Sequence, residues 1–388
     1  MDALATWEGE LERELAELAS RGSRRSLDLA AGLDFSSNDY LGFGRDTELA
    51  RAVAARVAAA AELTPATLFA PASRLLRGET ELHRDVEARL ARFKGTEAAL
   101  LLPSGYQANV ALLTAILGPG DRVLSDERNH ASLIDGMRLA RCRRQVVPHL
   151  DLAAYGRALA EDAPAGRTVV VVESLFSMDG DRAPLDLLAD LCDRHGALLV
   201  VDDAHAAGLY GGARGSGLIE EHGLERRVAA SVTTFGKALA VSGACIAGSR
   251  TLIDWIVNRA RPFIFSTAVA PVVLHALAAS LDHLSCHRQR GAAARLRAFL
   301  LRRRLAEHGI AVAGDDSPIV PVVLGANERA LAVAAAVRAD GFDVRAVRPP
   351  TVPHGTARLR ISVHADHSEA EIDALAAAVA RAIAGVPA

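Results

Sequence analysis

From about residue 47 to residue 280, short apolar runs alternate with stretches of helical periodicity, and this alternation limits the fold more than any other feature of the chain. The runs are AALLL at 98–102, RVLS at 122–125, TVVVVE at 168–173, ALLVVDD at 197–203 and RVAASVT at 227–233. Continuous apolar runs must be covered on both faces, and strands separated by helices pair in parallel. The expected fold class is therefore α/β, a mostly parallel sheet with helices on both faces. Later the rhythm changes to SPIVPVVL at 317–324, a helical segment near 327–339, FDVRAV at 342–347, ARLRISV at 357–363 and a last helix. That order describes a smaller α+β domain. Ser368 and Glu371 predict a capping box, followed by one apolar stripe of Ile372, Leu375, Val379 and Ile383. At the other end, Leu4, Trp7, Leu11, Leu15 and Leu18 recur at helical spacing in an acidic segment. The 388 residues exceed one ordinary core. Three parts are expected: an N-terminal helical arm with a substrate-side segment over 1–45, a large domain over 46–284 and a small domain over 285–388.

Composition excludes several classes of function. The 44 basic and 47 acidic side chains leave a net charge of -3, so nothing calls for nucleic acid or an anionic membrane surface. No uncharged apolar stretch reaches spanning length, and Asp2, Glu8, Glu10 and Glu12 stand where a leader would be basic. Cys142, Cys192, Cys245 and Cys286 are scattered, which argues against a disulfide framework and fits a reducing cytoplasm. His283, Cys286 and His287, or His364 and His367, lack a third converging cluster by spacing, so no metal is expected. A dehydrogenase or nucleotide-binding domain needs G-x-G-x-x-G or G-K-[ST] after an early strand; GGARGSG at 211–217 has other spacing.

In a parallel sheet, ligands gather outside the carboxyl ends of the strands. Pro103-Ser104-Gly105-Tyr106-Gln107 follows the first run; its free N–H groups suit a phosphate, although a plain strand-to-helix turn has the same pattern. Asn129 and His130 follow the second run, and Ser174 and Phe176-Ser177-Met178-Asp179-Gly180 the third. The fourth ends on Asp202-Asp203-Ala204-His205, and a desolvated carboxylate there requires a cationic partner, such as a pyridinium nitrogen. The fifth leads into Thr233-Thr234-Phe235-Gly236-Lys237. Alone, Lys237 reads as a surface charge and His130 as a loop residue. Together, an anion-binding turn, a strand-tip Asp, Asp-x-x-His and Thr-x-x-Lys after successive strands point to pyridoxal 5'-phosphate chemistry.

These residues fall within longer segments: FSSNDYLG (35–42), SRLLRGETELH (73–83), NHASLIDG (129–136), ESLFSMDGD (173–181), VDDAHAAG (201–208), TTFGKALAVSGA (233–244) and RPPTVPHGTARLRIS (348–362). In them the chain resembles the α-oxoamine synthases of the aspartate-aminotransferase fold. The resemblance implies that Lys237 holds the cofactor as a Schiff base, Asp202 pairs with its ring nitrogen, His130 stacks on the ring, and His205 and Ser177 meet its polar edge. Gly105, Tyr106 and Thr234 would cradle the phosphate or flank the cofactor. Ser266 and Thr267 would reach the phosphate of a second copy, which implies a homodimer. Arg360 would grip the amino-acid carboxylate, and Arg24, Asn38, His130 and Thr351 would lie on the substrate side. Two features depart from the family pattern: the stretch from Arg25 to Phe35 is short, and Ala70-Pro71 replaces a glycine-rich turn. The implied reaction is a decarboxylative condensation of an amino acid with an acyl thioester. RPPTVP at 348–353 favours the member of biotin biosynthesis that joins L-alanine to a pimeloyl thioester, carried by coenzyme A or acyl carrier protein. Glycine or serine with another thioester, and a non-catalytic companion subunit, are the alternatives; Lys237 speaks against the latter.

Overall fold

The computed structural model describes residues 2–63, 68–161, 165–314 and 316–387. They divide into two compact units, Asn38–Ser177 with Asp181–Ala294, and Met1–Ser37 with Met178–Gly180 and Arg295–Ala388. The first is built on seven strands: β1 (Ala98–Leu102), β2 (Arg122–Asp126), β3 (Arg143–Val147), β4 (Thr168–Glu173), β5 (Leu198–Asp202), β6 (Ala230–Thr234) and β7 (Ala244–Gly248). Their order in the sheet is β1-β7-β6-β5-β4-β2-β3. Strand β7 runs antiparallel to β1 and β6, and the other pairs are parallel. The class expected from sequence is the class observed.

All five apolar runs became strands, and every residue of β1, β2 and β4 is buried. Leu100, Val171, Val200, Val232 and Ile246 share one core with Leu112 and Leu133 from the covering helices. Two strands went unnamed in the sequence reading. Strand β3, RRQVV, is an edge strand whose arginines stay exposed, so it has no apolar run to reveal it. Strand β7, ACIAG, is buried throughout but made mainly of small residues.

The second unit carries a three-stranded antiparallel sheet of β8 (Ile319–Gly325), β9 (Arg345–Val347) and β10 (Ala357–Ser362), in the order β9-β10-β8. The capping box of Ser368 and Glu371 forms, and Ile372, Leu375 and Val379 are buried. The division into units differs from the expected boundaries. Leu33 and Asp34 pair with Phe342 and Asp343, and Phe35 packs among Val322, Leu359 and Ile372, so the N-terminal segment belongs with the C-terminal one. The C-terminal part of this unit begins at Arg295, inside the helix Gln289–Glu307 rather than at residue 285. The first helix, Ala3–Ser20, buries no residue, and no helix among the described residues is long and apolar enough to cross a membrane.

Ion pairs fix the strand ends of the large unit. Lys94 Nζ lies 2.7 Å from Asp203 Oδ2, both side chains buried, and also donates to the Ser216 carbonyl at 2.6 Å. Asp203 accepts from Ser174 Oγ at 2.6 Å, which ties the end of β5 to the end of β4. Of the adjacent aspartates, Asp203 is thus committed to structure. Beyond β3, His149 bridges Asp126 Oδ1 at 2.8 Å and Asp181 Oδ2 at 2.6 Å. Burial lowers the pKa of this imidazole, but hydrogen bonds to the two carboxylates outweigh it and push it up to about 9. A folded-state pKa raised above the unfolded value of 6.5 stabilises the fold fully below that pH and is lost as pH rises through about 9. Replacing His149 with Gln should therefore remove a decline in stability between those pH values, measured by urea denaturation of both proteins across the range.

Candidate active site

The polar residues after β1, β2, β4, β5 and β6 converge at one edge of the large unit. Asp202 closes β5 and is 6% exposed. Its Oδ2 accepts from Asn109 Nδ2 at 2.7 Å and its Oδ1 from the Ala204 N–H at 3.0 Å. Both donors are neutral, and among the described residues Asp202 has no ion-pair partner. Asn109 Nδ2 also donates to Ser132 Oγ at 2.9 Å, and that hydroxyl lies 2.7 Å from His130 Nδ1. One polar chain therefore links the His130 ring to the Asp202 carboxylate. Desolvation first, and then the charge of Lys237, lower the His130 pKa against the pull of Asp202, which favours a neutral imidazole.

Lys237 is half-buried three residues beyond β6, and its Nζ donates to Thr234 Oγ1 at 2.9 Å. The turn after β1 opens the helix Gly105–Ile116, capped by Ser104, whose Oγ accepts from the Gln107 N–H at 3.2 Å. The N–H groups at such an end attract an anion. Gly105 sits so close to β6 that a Cβ there would lie 2.2 Å from Thr234 Cγ2. Tyr106 is half-exposed and donates to Asp135 at 2.6 Å. His205 Nδ1 lies 2.8 Å from the Tyr40 hydroxyl, which in turn donates to Asn38 Oδ1 at 3.1 Å. Ser177 is buried, with its N–H on Glu173 Oε2.

Ser266 and Thr267 border a cleft of ≈ 430 Å³ together with Pro103 and Gln107. Ser266 Oγ accepts from Gln107 Nε2 at 2.7 Å, which places it at this chain's own turn. Thr267 bridges to Ser73, and the Ala72 carbonyl accepts from Ala268, so the segment with the unusual Ala70-Pro71 is anchored there. Arg24, Thr351 and Arg360 belong to the other unit. Arg360 is buried on β10 and donates to Ser362 Oγ at 2.8 Å; its neighbour on that face, Arg358, pairs with Asp179. Arg24 and Thr351 are exposed, and it is Arg25 whose guanidinium reaches Thr351 Oγ1, at 3.4 Å.

Sequence reasoning missed Tyr40, Asn109, Ser132 and Glu173. Glu173 had a visible signal, since it ends an apolar run as Asp202 does; Asn109, one helical turn beyond Gly105, had only its spacing. The structure also adds Glu48 to His283 and His287, with potential ligand atoms within 4.8 Å of one another. Beside them Asp46, already paired with Arg290, lies 3.3 Å from His283 Nε2.

Residues 30–379 match the family model for class I and II aminotransferases, and the chain belongs to that family. Within it, the chain belongs with the 8-amino-7-oxononanoate synthases. The enzyme of that name from Anaeromyxobacter dehalogenans (strain 2CP-C) is 45% identical over 391 residues, 96% of each chain. That of Geobacter sulfurreducens is 42% identical, over 95% of this chain and 96% of the relative. Among solved structures, the Sphingomonas wittichii serine palmitoyltransferase superposes with a TM-score of 0.88 at 26% identity over 100% of both chains. The 8-amino-7-oxononanoate synthase of Francisella tularensis gives a TM-score of 0.76 at 23% identity, covering 90% of this chain and 97% of that one, a likeness of fold.

The approach of Gly105 to Thr234 is directly testable. Gly105→Ala should cost about 1–3 kcal/mol by overpacking. A loss of about tenfold or more in pyridoxal 5'-phosphate affinity is expected, roughly 1.4 kcal/mol per tenfold. Adding Thr234→Ser removes the colliding methyl, keeps the hydroxyl for Lys237, and should restore most of the affinity in a fluorescence titration.

Proposed function

We propose that the chain is a pyridoxal 5'-phosphate-dependent acyltransferase that joins L-alanine to a pimeloyl thioester, releasing CO₂ and free thiol and giving 8-amino-7-oxononanoate on the path to biotin. The observation that carries this reading is Asp202, a buried carboxylate held by neutral donors beside Lys237 on the neighbouring strand end. Such a carboxylate is costly unless a cation joins it, and a protonated ring nitrogen is that cation. The helix end at Gly105 supplies donors for a phosphate, so the residues present fit the cofactor. The identity to curated 8-amino-7-oxononanoate synthases over nearly the whole chain supports the substrate pair.

When bound, pyridoxal 5'-phosphate supplies an electron sink for charge developing at the amino acid's Cα. The protein's part is to place groups around that carbon. Lys237 would hold the cofactor covalently and its amine would take the Cα proton; Thr234 Oγ1 holds its Nζ. Asp202 keeps the ring nitrogen protonated, and Asn109 aims that carboxylate. His130 would meet the cofactor ring in its neutral form, with Ser132 orienting the imidazole. His205, steadied by Tyr40, and Ser177 address the polar edge, and Tyr106 flanks the phosphate. The Arg360 fork suits a carboxylate. Arg24, Asn38 and Thr351 shape the approach of the acyl group, on coenzyme A or acyl carrier protein. The working form is a cytoplasmic homodimer in which Ser266 and Thr267 complete the phosphate site of the second copy.

Borohydride should fix the cofactor on Lys237, while Lys237→Ala should lose both the adduct and more than about a thousandfold of turnover, as removal of a nucleophile does. Mass spectrometry of the reduced proteins and turnover assays check these, and product analysis with alanine, glycine or serine against pimeloyl, acetyl, succinyl and palmitoyl thioesters checks the substrate pair. A sphingoid ketone or aminolevulinate as the main product would overturn the substrate assignment and leave the cofactor chemistry standing. An adduct that persists in Lys237→Ala would overturn both.

A further inference from the structure

Glu173 ends β4, between β5 and β2 in the sheet, and is 2% exposed. In register it stands opposite Asp202. Its Oε2 accepts from the Ser177 N–H at 3.3 Å, whereas Oε1 is buried without a hydrogen bond. Its own N–H donates to Asn129 Oδ1 at 3.2 Å, the residue just before His130. The groups facing it are Asp202 from β5, Lys237 from beyond β6, and the N–H groups of His130 and Ser177. Burial first, and then the charge of Asp202, push its pKa up to about 8, while those N–H groups and Lys237 pull the other way. A charge on Glu173 beside Asp202 in so dry a place is disfavoured, which favours its acid form at neutral pH. Asp202 accepts two hydrogen bonds, whereas Glu173 accepts one at Oε2, from Ser177, and its Oε1 is left bare.

We propose that Glu173 is a positioning residue of this reaction centre that holds one proton as a neutral acid, spacing His130 and Ser177 and adding no negative charge beside Asp202. The inference rests on the function proposed above. Ionising Glu173 places a second negative charge near Lys237, strengthens the hold of that amine on its proton, and slows proton transfer at Cα. Glu173 thereby sets the upper pH limit of the reaction.

Two measurements on the holoenzyme test this. Infrared difference spectra between about pH 7 and about pH 10, values that bracket the titration of a raised carboxyl group, should show one buried carboxylic-acid band disappearing in wild type and no such band in Glu173→Gln. In pH–rate profiles, wild-type kcat should fall with a midpoint near about 8. Glu173→Gln, which is neutral at every pH, should keep kcat within about threefold at low pH and move that limb up by at least about one unit. Glu173→Leu should lower kcat across the whole range, because it removes the acceptor for the Ser177 N–H. An infrared band or an alkaline limb that is unchanged in Glu173→Gln overturns the proposal, as does a uniform loss of rate with the limb in place. The infrared arm also reads on protein without cofactor, so a failure of the proposed reaction would leave the protonation of Glu173 separately decided.

Discussion

Four carboxyl groups at the carboxyl ends of adjacent strands, all buried, are the constraint around which the large unit is organised. Asp126, Glu173, Asp202 and Asp203 close β2, β4 and β5 within one stretch of the sheet, where water is scarce. Each is settled differently. Asp203 takes a buried ammonium from Lys94, and Asp126 takes the imidazole of His149. Asp202 receives only amide donors, and Glu173 has one backbone hydrogen bond and an empty oxygen. The first two are closed structural units. The last two are left electrically unfinished, and that incompleteness singles out the place where a cationic ring can sit.

Much of this was legible in the chain itself. Runs of five or six apolar residues predicted β1, β2, β4, β5 and β6 because strands covered on both faces have no polar side to disguise them. Strand β3 escaped because an edge strand tolerates Arg143 and Arg144 in solvent and a polar Gln145 between them and its end. Strand β7 escaped because Ala, Gly and Cys carry a weak signal even where every residue is buried. The residues next to the strand tips, Lys237, Asp202, His130 and His205, were marked by position. Asn109, Ser132 and Tyr40 act through hydrogen bonds across 93, 23 and 165 positions of the chain or more locally within a helix turn, and no local pattern announces such a bond. The two adjacent aspartates looked alike in sequence; only the location of Lys94 separates their duties.

The proposed roles divide between the units, which lets fold and substrate choice vary separately. The residues proposed to face the cofactor stand on the large unit, whose core is set by the sheet. The carboxylate-gripping candidate Arg360 stands on β10, buried beside Arg358 in a separate sheet with its own core. A serine palmitoyltransferase at 26% identity shares the whole architecture, while the much greater identity to oxononanoate synthases separates this chain from it.

The pairing of Leu33 and Asp34 with Phe342 and Asp343 bears on how the molecule is made. Ser36 and Asp343 share a hydrogen bond across 307 positions, and Phe35 is buried among side chains that belong to the last hundred residues. A ribosome delivers these ends at opposite times. The large unit, bounded by residues 38 and 294, can assemble its sheet while the opening segment still lacks its partners. Domains of this kind fold in the order in which their pieces become available. The first 37 residues thus wait, with Leu33 and Phe35 in water, until translation is nearly done, and a chain cut short before β10 leaves both ends of the small unit without a core.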